Sequence, residues 1–220
     1  MRLTKGADVY SSDGEKLGTV DRVVLDPQTR EVTHIVISRG LMFKTEKVIA
    51  IDRVDQSMTD KLTLRSPKAK MENFPDFEET HYVNQDQTEN PTSDELPVSY
   101  WYPPMNLAWW RTGGAANPIL YPSQPIYVPR TTQNIPEGTV ALEEGAKVAS
   151  ADHKHIGNIK ELIVDEQDHR VTHIVINEGV LLKERKLVPV TWISEIDEGE
   201  VLLSVDSTTL DHLPAYQPVR

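Results

Sequence analysis

The sequence contains a long internal repeat, because the hexapeptide Val-Thr-His-Ile-Val-Ile occurs at residues 32–37 and again at residues 171–176. The shift that superimposes these two hexapeptides aligns residues 6–77 with residues 145–216 without a gap. The aligned pairs include Gly6 with Gly145, Gly18 with Gly157, Asp26 with Asp165, Lys47 with Lys186, Pro75 with Pro214 and Phe77 with Tyr216. A period this long, present twice, indicates duplication of a whole domain and not a solenoid of short units.

Each copy is predicted to consist of short strands separated by turn residues. In the first copy these strands are residues 7–10, 16–26, 32–38, 47–51 and 61–64. No segment shows a helical hydrophobic period over more than two turns, so the predicted fold class is all-β. A small sheet avoids bare edges by closing on itself, which predicts a small closed or nearly closed barrel for each copy. Gly18 and Gly157, inside the longest strand of each copy, suit a bend or bulge at a barrel corner.

The repeated hexapeptide is apolar on both faces of its strand. Side chains alternate along a strand, so Val32, His34 and Val36 are predicted to share one face while Ile35 and Ile37 share the other. The inside of a barrel accommodates one of these faces. The other needs cover from the sister copy, from the intervening segment or from another chain, and a homo-oligomer would also meet this need. We therefore expect the two copies to pack together about an approximate two-fold axis.

These elements resemble the PRC-barrel domain family. The resemblance is carried by Gly18-Thr19-Val20 to Asp26, by Val32 to Ile37, by Lys47 to Ile51 and by the same elements in the second copy. It implies two small PRC-type β-barrels over about two thirds of the chain. Such barrels usually serve as non-catalytic adaptors, in the photosynthetic reaction centre H subunit, in the ribosome maturation factor and in stress- or sporulation-associated bacterial proteins. The sequence shows no transmembrane helix like that of the H subunit and no counterpart of the maturation factor's other domain.

The resulting domain organisation is a first PRC-barrel-like domain at 1–77, a connector at 78–144 and a second such domain at 145–220. The connector holds nine of the fifteen prolines, three of the four tryptophans and nine acidic against two basic residues. Its aromatic residues either pack against the barrels as internal glue or anchor a partner protein. The candidate partner-binding residues are Trp101, Tyr102, Trp109, Trp110 and Arg111. The acidity of the connector argues against peripheral association with anionic membranes.

Composition excludes several classes of function and partner. The chain has no cysteine, which removes disulfides and thiolate zinc sites and favours a reducing cytoplasm. The N-terminus has no apolar signal region, and no stretch approaches the roughly 18 apolar residues of a membrane span, so a soluble, cytoplasmic protein is predicted. With 34 acidic and 23 basic residues, direct binding of nucleic acid is not expected.

No catalytic residue, metal or cofactor is predicted, because the common nucleotide-binding, α/β-hydrolase and zinc-protease motifs are absent. His34 and His173 are interpreted as structural residues with hydrogen bonds to the backbone. Asp26 and Asp165 precede tight turns and are expected to accept backbone hydrogen bonds there. The alternative function is a small-ligand or metal-dependent enzyme, such as a hydrolase, with a site at the barrel interface. Carboxylates and histidines converging from both copies would favour that alternative.

Overall fold

The computed structural model describes residues 1–40, 44–58, 61–84, 127–143, 145–178 and 184–217. These residues form two sheets, one for each repeat, and a separate two-stranded ribbon. The strands are β1 (Arg2–Thr4), β2 (Asp8–Tyr10), β3 (Lys16–Leu25), β4 (Val32–Arg39), β5 (Thr45–Ala50), β6 (Val54–Met58), β7 (Lys61–Leu64), β8 (Glu78–Asn84), β9 (Tyr127–Gln133), β10 (Val140–Glu143), β11 (Lys147–Ala149), β12 (His155–Val164), β13 (Val171–Glu178), β14 (Glu184–Pro189), β15 (Ile193–Ile196) and β16 (Glu200–Leu203). A short helix, α1 (Ser207–Asp211), follows β16.

The two sheets have the same strand order, which confirms the duplicated all-β architecture. The path is β5-β4-β3-β2-β7-β6 in the first sheet and β14-β13-β12-β11-β16-β15 in the second. Most neighbouring strands are antiparallel, while β2 pairs in parallel with β7 and β11 pairs in parallel with β16. All five strands predicted in the first copy are present within about two residues of their expected bounds. Strands β1 and β6 were not predicted.

Each sheet receives one strand from the other repeat. Strand β1 of the first repeat pairs with β12 of the second, where Leu3 lies opposite Leu162. Strand β10, which leads into the second repeat, pairs with β3 of the first, where Leu142 lies opposite Val23. The two registers are related by the same shift that aligns the repeats. The leading strands are therefore exchanged reciprocally, as an approximate two-fold relation between the repeats requires.

A second reciprocal contact joins the turns that precede β4 and β13. The Val32 N–H donates to the His169 carbonyl at 2.9 Å, and the Val171 N–H donates to the Arg30 carbonyl at 2.9 Å. Glu31 and Arg170 form a β-bridge between these two bonds. The start of each repeated hexapeptide thus lies at the contact between the repeats.

The core is continuous between the two repeats. Ile35 and Ile37 belong to the same buried cluster as their second-repeat equivalents, Ile174 and Ile176. Val32 also lies in this shared cluster, on the side opposite to the one predicted by alternation. The pairing of β3 with β4 shifts register between Val24 and Leu25, next to Val32, so strict alternation does not hold at this end of the strand.

Val36 faces the other side of the first sheet, where a smaller cluster covers it. That cluster contains Val24, Val36, Val48, Phe77 and Ala141, with Ile135 packed against it. Val36 is therefore covered by Phe77, at the end of the first repeat, and by Ile135 and Ala141, in the chain that leads into the second repeat.

The second repeat carries larger side chains at several of the equivalent positions. Ile163 replaces Val24, Leu187 replaces Val48, and Arg2 takes the place of Ala141. Ile163, Leu187 and Arg2 are only half-buried, so this face of the second sheet is less completely covered than that of the first.

Hydrogen bonding within the described residues leaves each sheet as an open path and does not close it into a barrel. In the first sheet the end strands β5 and β6 are joined by a single turn of 3₁₀ helix, Ile51–Arg53. The residues form two compact units, Met1–Glu79 with Gln133–Arg220, and Thr80–Thr132. Both repeats belong to the first unit, together with part of the segment interpreted from sequence as connector.

Candidate functional site

The predicted partner-binding residues Trp101, Tyr102, Trp109, Trp110 and Arg111 lie outside the described residues. The nearest described chain on either side forms the ribbon of β8 and β9. Thr80 and Thr131 contact each other through their hydroxyl oxygens at 3.2 Å. The Asn134 N–H donates to the Phe77 carbonyl at 2.8 Å, and these two contacts together fit an antiparallel pairing.

The ribbon carries exposed apolar side chains. In the described part of the chain, the large hydrophobic residues that stay exposed are Tyr82, at 72%, and Val128, at 36%. An isolated two-stranded ribbon is marginally stable in water, and within the described residues no third strand pairs with β8 or β9. Exposed tyrosine is favoured at protein interfaces, where it offers apolar area together with a polar hydroxyl. The ribbon is therefore a candidate contact surface, and in the sequence its two strands lie on either side of the aromatic segment.

Charged residues line the contact between the exchanged strands and their host sheets. In the first sheet, Arg22 Nη1 donates to Glu143 Oε1 at 2.6 Å, and the Arg22 guanidinium lies 5.1 Å from the centre of the Phe77 ring. In the second sheet, Arg2 Nε lies 3.6 Å from Glu161 Oε1. Each pair joins an exchanged strand to a strand of the other repeat.

Glu161 is a buried carboxylate, with only 3% of the residue exposed. Its Oε1 accepts no hydrogen bond within the described structure. Burial raises the pKa of Glu161 because the charged form is poorly solvated, and the positive charges of Arg2, Arg185 and Lys160 partly oppose that rise. The ion pair with Arg2 therefore offsets part of the cost of burying this charge.

A small cavity lies between β3 and β12, where it is lined by equivalent residues of the two repeats. Its volume is about 20 Å³, which is room for about one water molecule. The charged residues that line it are Lys5, Asp21, Arg22, Glu143, Lys160 and Glu161. Carboxylates from both repeats do meet here, but they meet arginine and lysine and not histidine.

A larger surface cleft of about 270 Å³ lies on the second repeat. Its lining residues are Ala149, His153, Glu195, Asp197, Glu200 and Leu202. His155, two residues after His153, is not among them. Within the described ranges, no group of three or more histidines and carboxylates is arranged to hold a metal ion.

His34 and His173 occupy equivalent positions on β4 and β13, opposite Ala50 and Pro189 respectively. His34 is half-buried, and its Nδ1 has no hydrogen-bond partner within the described residues. The expected backbone bond is therefore not found at this atom. Burial lowers the pKa of His34, and the Asp52 carboxylate partly opposes this effect. Within the described residues, no group of three or more possible metal ligands includes His34.

The two predicted turn aspartates accept backbone hydrogen bonds. Asp26 Oδ1 accepts from the N–H groups of Gln28 at 2.7 Å and Thr29 at 3.0 Å. Asp165 Oδ1 accepts from the Gln167 N–H at 2.7 Å. The bonds to Thr29 and Gln28 lower the pKa of Asp26, because they stabilise its charged form.

Gly18 and Gly157 lie beside bulges in the strand pairs that join β2 to β3 and β11 to β12. The register shifts immediately after the pair of Val9 with Gly18, and again after the pair of Val148 with Gly157. At Gly18 an added Cβ would lie 2.6 Å from the Ser38 carbonyl oxygen. Close approach of β4 therefore requires glycine at this position.

A polar cluster that was not predicted joins the first turn of the second repeat to helix α1. Asp152 accepts from the Ser150 hydroxyl at 2.6 Å and from the Ser207 N–H at 3.1 Å, and Lys154 Nζ lies 2.9 Å from it. Lys154 also donates to the Ser207 hydroxyl at 3.1 Å. Asp152 raises the pKa of Lys154, whereas a lysine that activates a serine nucleophile needs a lowered one. The cluster therefore connects the first turn of the second repeat to the start of helix α1 through hydrogen bonds and one ion pair.

The sequence analysis also did not single out the four charged residues at these contacts, two on the exchanged strands (Arg2 and Glu143) and two on the host strands (Arg22 and Glu161). When each copy is considered alone, Arg22 and Glu161 resemble charged residues on the solvent-exposed face of a strand. The alignment of the repeats contains the signal, because Arg22 and Glu161 occupy equivalent positions with opposite charge.

Among the described residues, no helix has the length and apolar character needed to cross a membrane. The family model of the PRC-barrel domain matches residues 4–71 and 144–211. Curated proteins give no match to the chain. The two matched stretches agree with the repeats found in the sequence and begin close to the exchanged strands.

Proposed function

The chain belongs to the PRC-barrel family, whose domains generally serve as interaction and assembly modules, and we propose that it is a non-catalytic adaptor for a partner protein. The proposed contact surface consists of the ribbon β8–β9 together with the aromatic segment from Trp101 to Arg111. The observation that carries this proposal is the exposure of Tyr82 and Val128 on the ribbon. The two repeats then form the scaffold that holds the ends of this surface.

The division of roles follows from what the repeats share. Residues common to both copies account for folding, so a function specific to this protein belongs to the unshared part of the chain. The largest unshared part lies between the repeats and is rich in tryptophan and tyrosine. Such residues contribute strongly to protein interfaces, because they bury much apolar area with few rotatable bonds.

An enzymatic role at the contact between the repeats has less support. The cavity there, about 20 Å³, is far smaller than the roughly 300 Å³ of a small-molecule site. Its charged groups lie beside opposite charges, which favours a structural role. We place the adaptor in the cytoplasm of a bacterium, in a stress-related or assembly-related complex, and do not propose nucleic acid or a membrane surface as its partner.

The test is quantitative capture of partner proteins from the host by the tagged full-length chain, measured beside its melting temperature. Trp109→Ala together with Trp110→Ala is expected to weaken capture at least about thirtyfold with an unchanged melting temperature, because buried aromatic anchors contribute about 2 kcal/mol or more each. Tyr82→Ser is expected to weaken capture as well, because Tyr82 lies on the proposed contact surface. Its exposed side chain contributes little to folding.

The control is Arg65→Ser, an exposed change on the first repeat, which is expected to leave both capture and melting temperature unchanged. A lower melting temperature with full capture would show that the tryptophans are internal glue. A tryptophan variant unaltered in both measurements would remove the aromatic segment from consideration as either site or core.

A further inference from the structure

The pairing registers of the exchanged strands and the burial of their leucines do not decide which sheet each strand joins. Leu3 and Leu142, at equivalent positions of β1 and β10, are 2% and 3% exposed. Their strands pair with β12 and β3 in registers that the repeat shift superimposes. Neither hydrogen bonding nor the burial of these leucines therefore distinguishes exchange from the alternative, in which each leading strand pairs within its own repeat.

The self-paired arrangement requires only a small change in the observed path of the chain. Strand β4 occupies one edge of β3 along residues 19–25, so β2 and β10 share the other edge. Strand β1 precedes β2 by a short turn, where Gly6 adopts a φ of 72°. Without this turn, β1 would continue along β3 to the place where β10 lies. Gly145, with a φ of 82°, has the same role before β11.

Charge does distinguish the two arrangements. With exchange, Arg2 lies beside Glu161 and Glu143 lies beside Arg22, so both contacts join opposite charges. With self-pairing, β1 would pair with β3 and bring Arg2 beside Arg22. Strand β10 would pair with β12 and bring Glu143 beside Glu161. Both contacts would then join like charges, at sites where Arg22 and Glu161 have side chains only 18% and 3% exposed.

The size of the side chains also favours exchange over self-pairing. Self-pairing would place Arg2 where Ala141 now lies, between Val24 and Phe77 in a cluster that is fully buried. A guanidinium at that position would be desolvated beside a second guanidinium, which is strongly unfavourable.

We infer that Arg2, Arg22, Glu143 and Glu161 specify the exchange of leading strands between the repeats, with Ala141 excluding the self-paired form by size. These four residues hold the repeats in one connected structure. Their role is one of positioning, and the proposal does not depend on the partner-binding function.

The test inverts the charges of the host strands and leaves the composition of the chain unchanged. The double variant Arg22→Glu with Glu161→Arg makes both exchanged contacts like-charged. The fourfold variant Arg2→Glu, Arg22→Glu, Glu143→Arg and Glu161→Arg restores opposite charges with inverted polarity. Hydrogen exchange of the Leu3 and Leu142 amides, and nuclear Overhauser contacts from residues 2–4 and 141–143, report the pairing in the full-length chain.

In the double variant, protection of both leading strands is expected to fall about tenfold or more, since two attractive contacts become repulsive. In the fourfold variant, protection is expected to recover at least in part, with contacts from Leu3 to Leu162 as in the wild type. The control Arg65→Glu disrupts an exposed ion pair with Asp55 and is expected to leave this protection unchanged.

A double variant with wild-type protection and wild-type contacts would overturn the proposal. So would a fourfold variant that is no better protected than the double variant. If the double variant does not fold, the fourfold variant still decides, because its folding with exchanged contacts would support charge pairing and its failure would oppose it.

Discussion

Replacing Gly18 with alanine tests the close approach of β3 to β4. The new Cβ would lie 2.6 Å from the carbonyl oxygen and 3.2 Å from the carbonyl carbon of Ser38. Ordinary contact between such atoms begins near 3.4 Å, so the strands must separate by roughly 0.8 Å. The obstacle is backbone and not a flexible side chain. Strand β4 cannot retreat alone, because Ser38 pairs with Thr19 on β3 and with Glu46 on β5.

The expected cost follows from these distances. Overpacking of this kind typically costs about 1–3 kcal/mol. Alanine also restricts the unfolded chain, which returns about 0.4–1 kcal/mol. We therefore expect Gly18→Ala to lower the free energy of unfolding by about 1.3 kcal/mol, the net of these two terms, and the melting temperature by about 3–5 °C, given the length of the chain.

Gly199→Ala is the matched control, because no atom lies within 4 Å of its added Cβ and its φ is not left-handed. It should change the free energy of unfolding by less than about 0.5 kcal/mol. Thermal and denaturant unfolding of both variants provide the assay. A Gly18→Ala chain as stable as the Gly199→Ala chain would refute the reasoning, because the close contact would then impose no constraint.

Two further predictions concern the outer faces of the sheets. Phe77→Ala should lower the free energy of unfolding by about 3–5 kcal/mol, because the ring is fully buried and contacts Arg22. Tyr216→Ala should lower it less, because Tyr216 is half-buried. Equal losses of the two variants in denaturant unfolding would contradict this prediction. Burial holds the pKa of His34 below its ordinary 6.5, so the unfolded chain takes up the proton first, and stability contributed by the neutral ring is lost as pH falls below about 6.5. The melting temperature of the wild type should therefore decrease relative to that of His34→Gln between pH 7.5 and 5, and parallel curves would refute the assignment.

The sequence predicted the repeated architecture well, because strand and turn signals in each copy are local. Lys61–Leu64 coincides with a predicted strand, and the turns at Asp26 and Asp165 have the expected hydrogen bonds. The strand exchange was beyond the sequence pattern, since a three-residue strand such as Arg2–Thr4 has a hydrophobic pattern compatible with either sheet. Its destination depends on charges that lie far apart in the sequence.

The candidate site was predictable only in part. The aromatic composition of the connector singled out Trp101 to Arg111, which stays a prediction because these residues lie outside the described structure. The exposed Tyr82 gave no signal in the sequence, since a tyrosine beside one valine in an otherwise polar stretch is compatible with either burial or exposure. Arg22 and Glu161 become recognisable only when the two copies are compared position by position.

The central claim is that the two repeats fold as one unit through exchanged strands and a shared core. Native-state hydrogen exchange of the Gly18→Ala chain tests it most directly, because the substitution lies in the first repeat alone. If the two repeats fold as one unit, the slowest amides of β13, in the second repeat, exchange faster by the same factor as those of β4. Acceleration confined to β4, with wild-type exchange in β13, would instead show that the repeats are two independent domains.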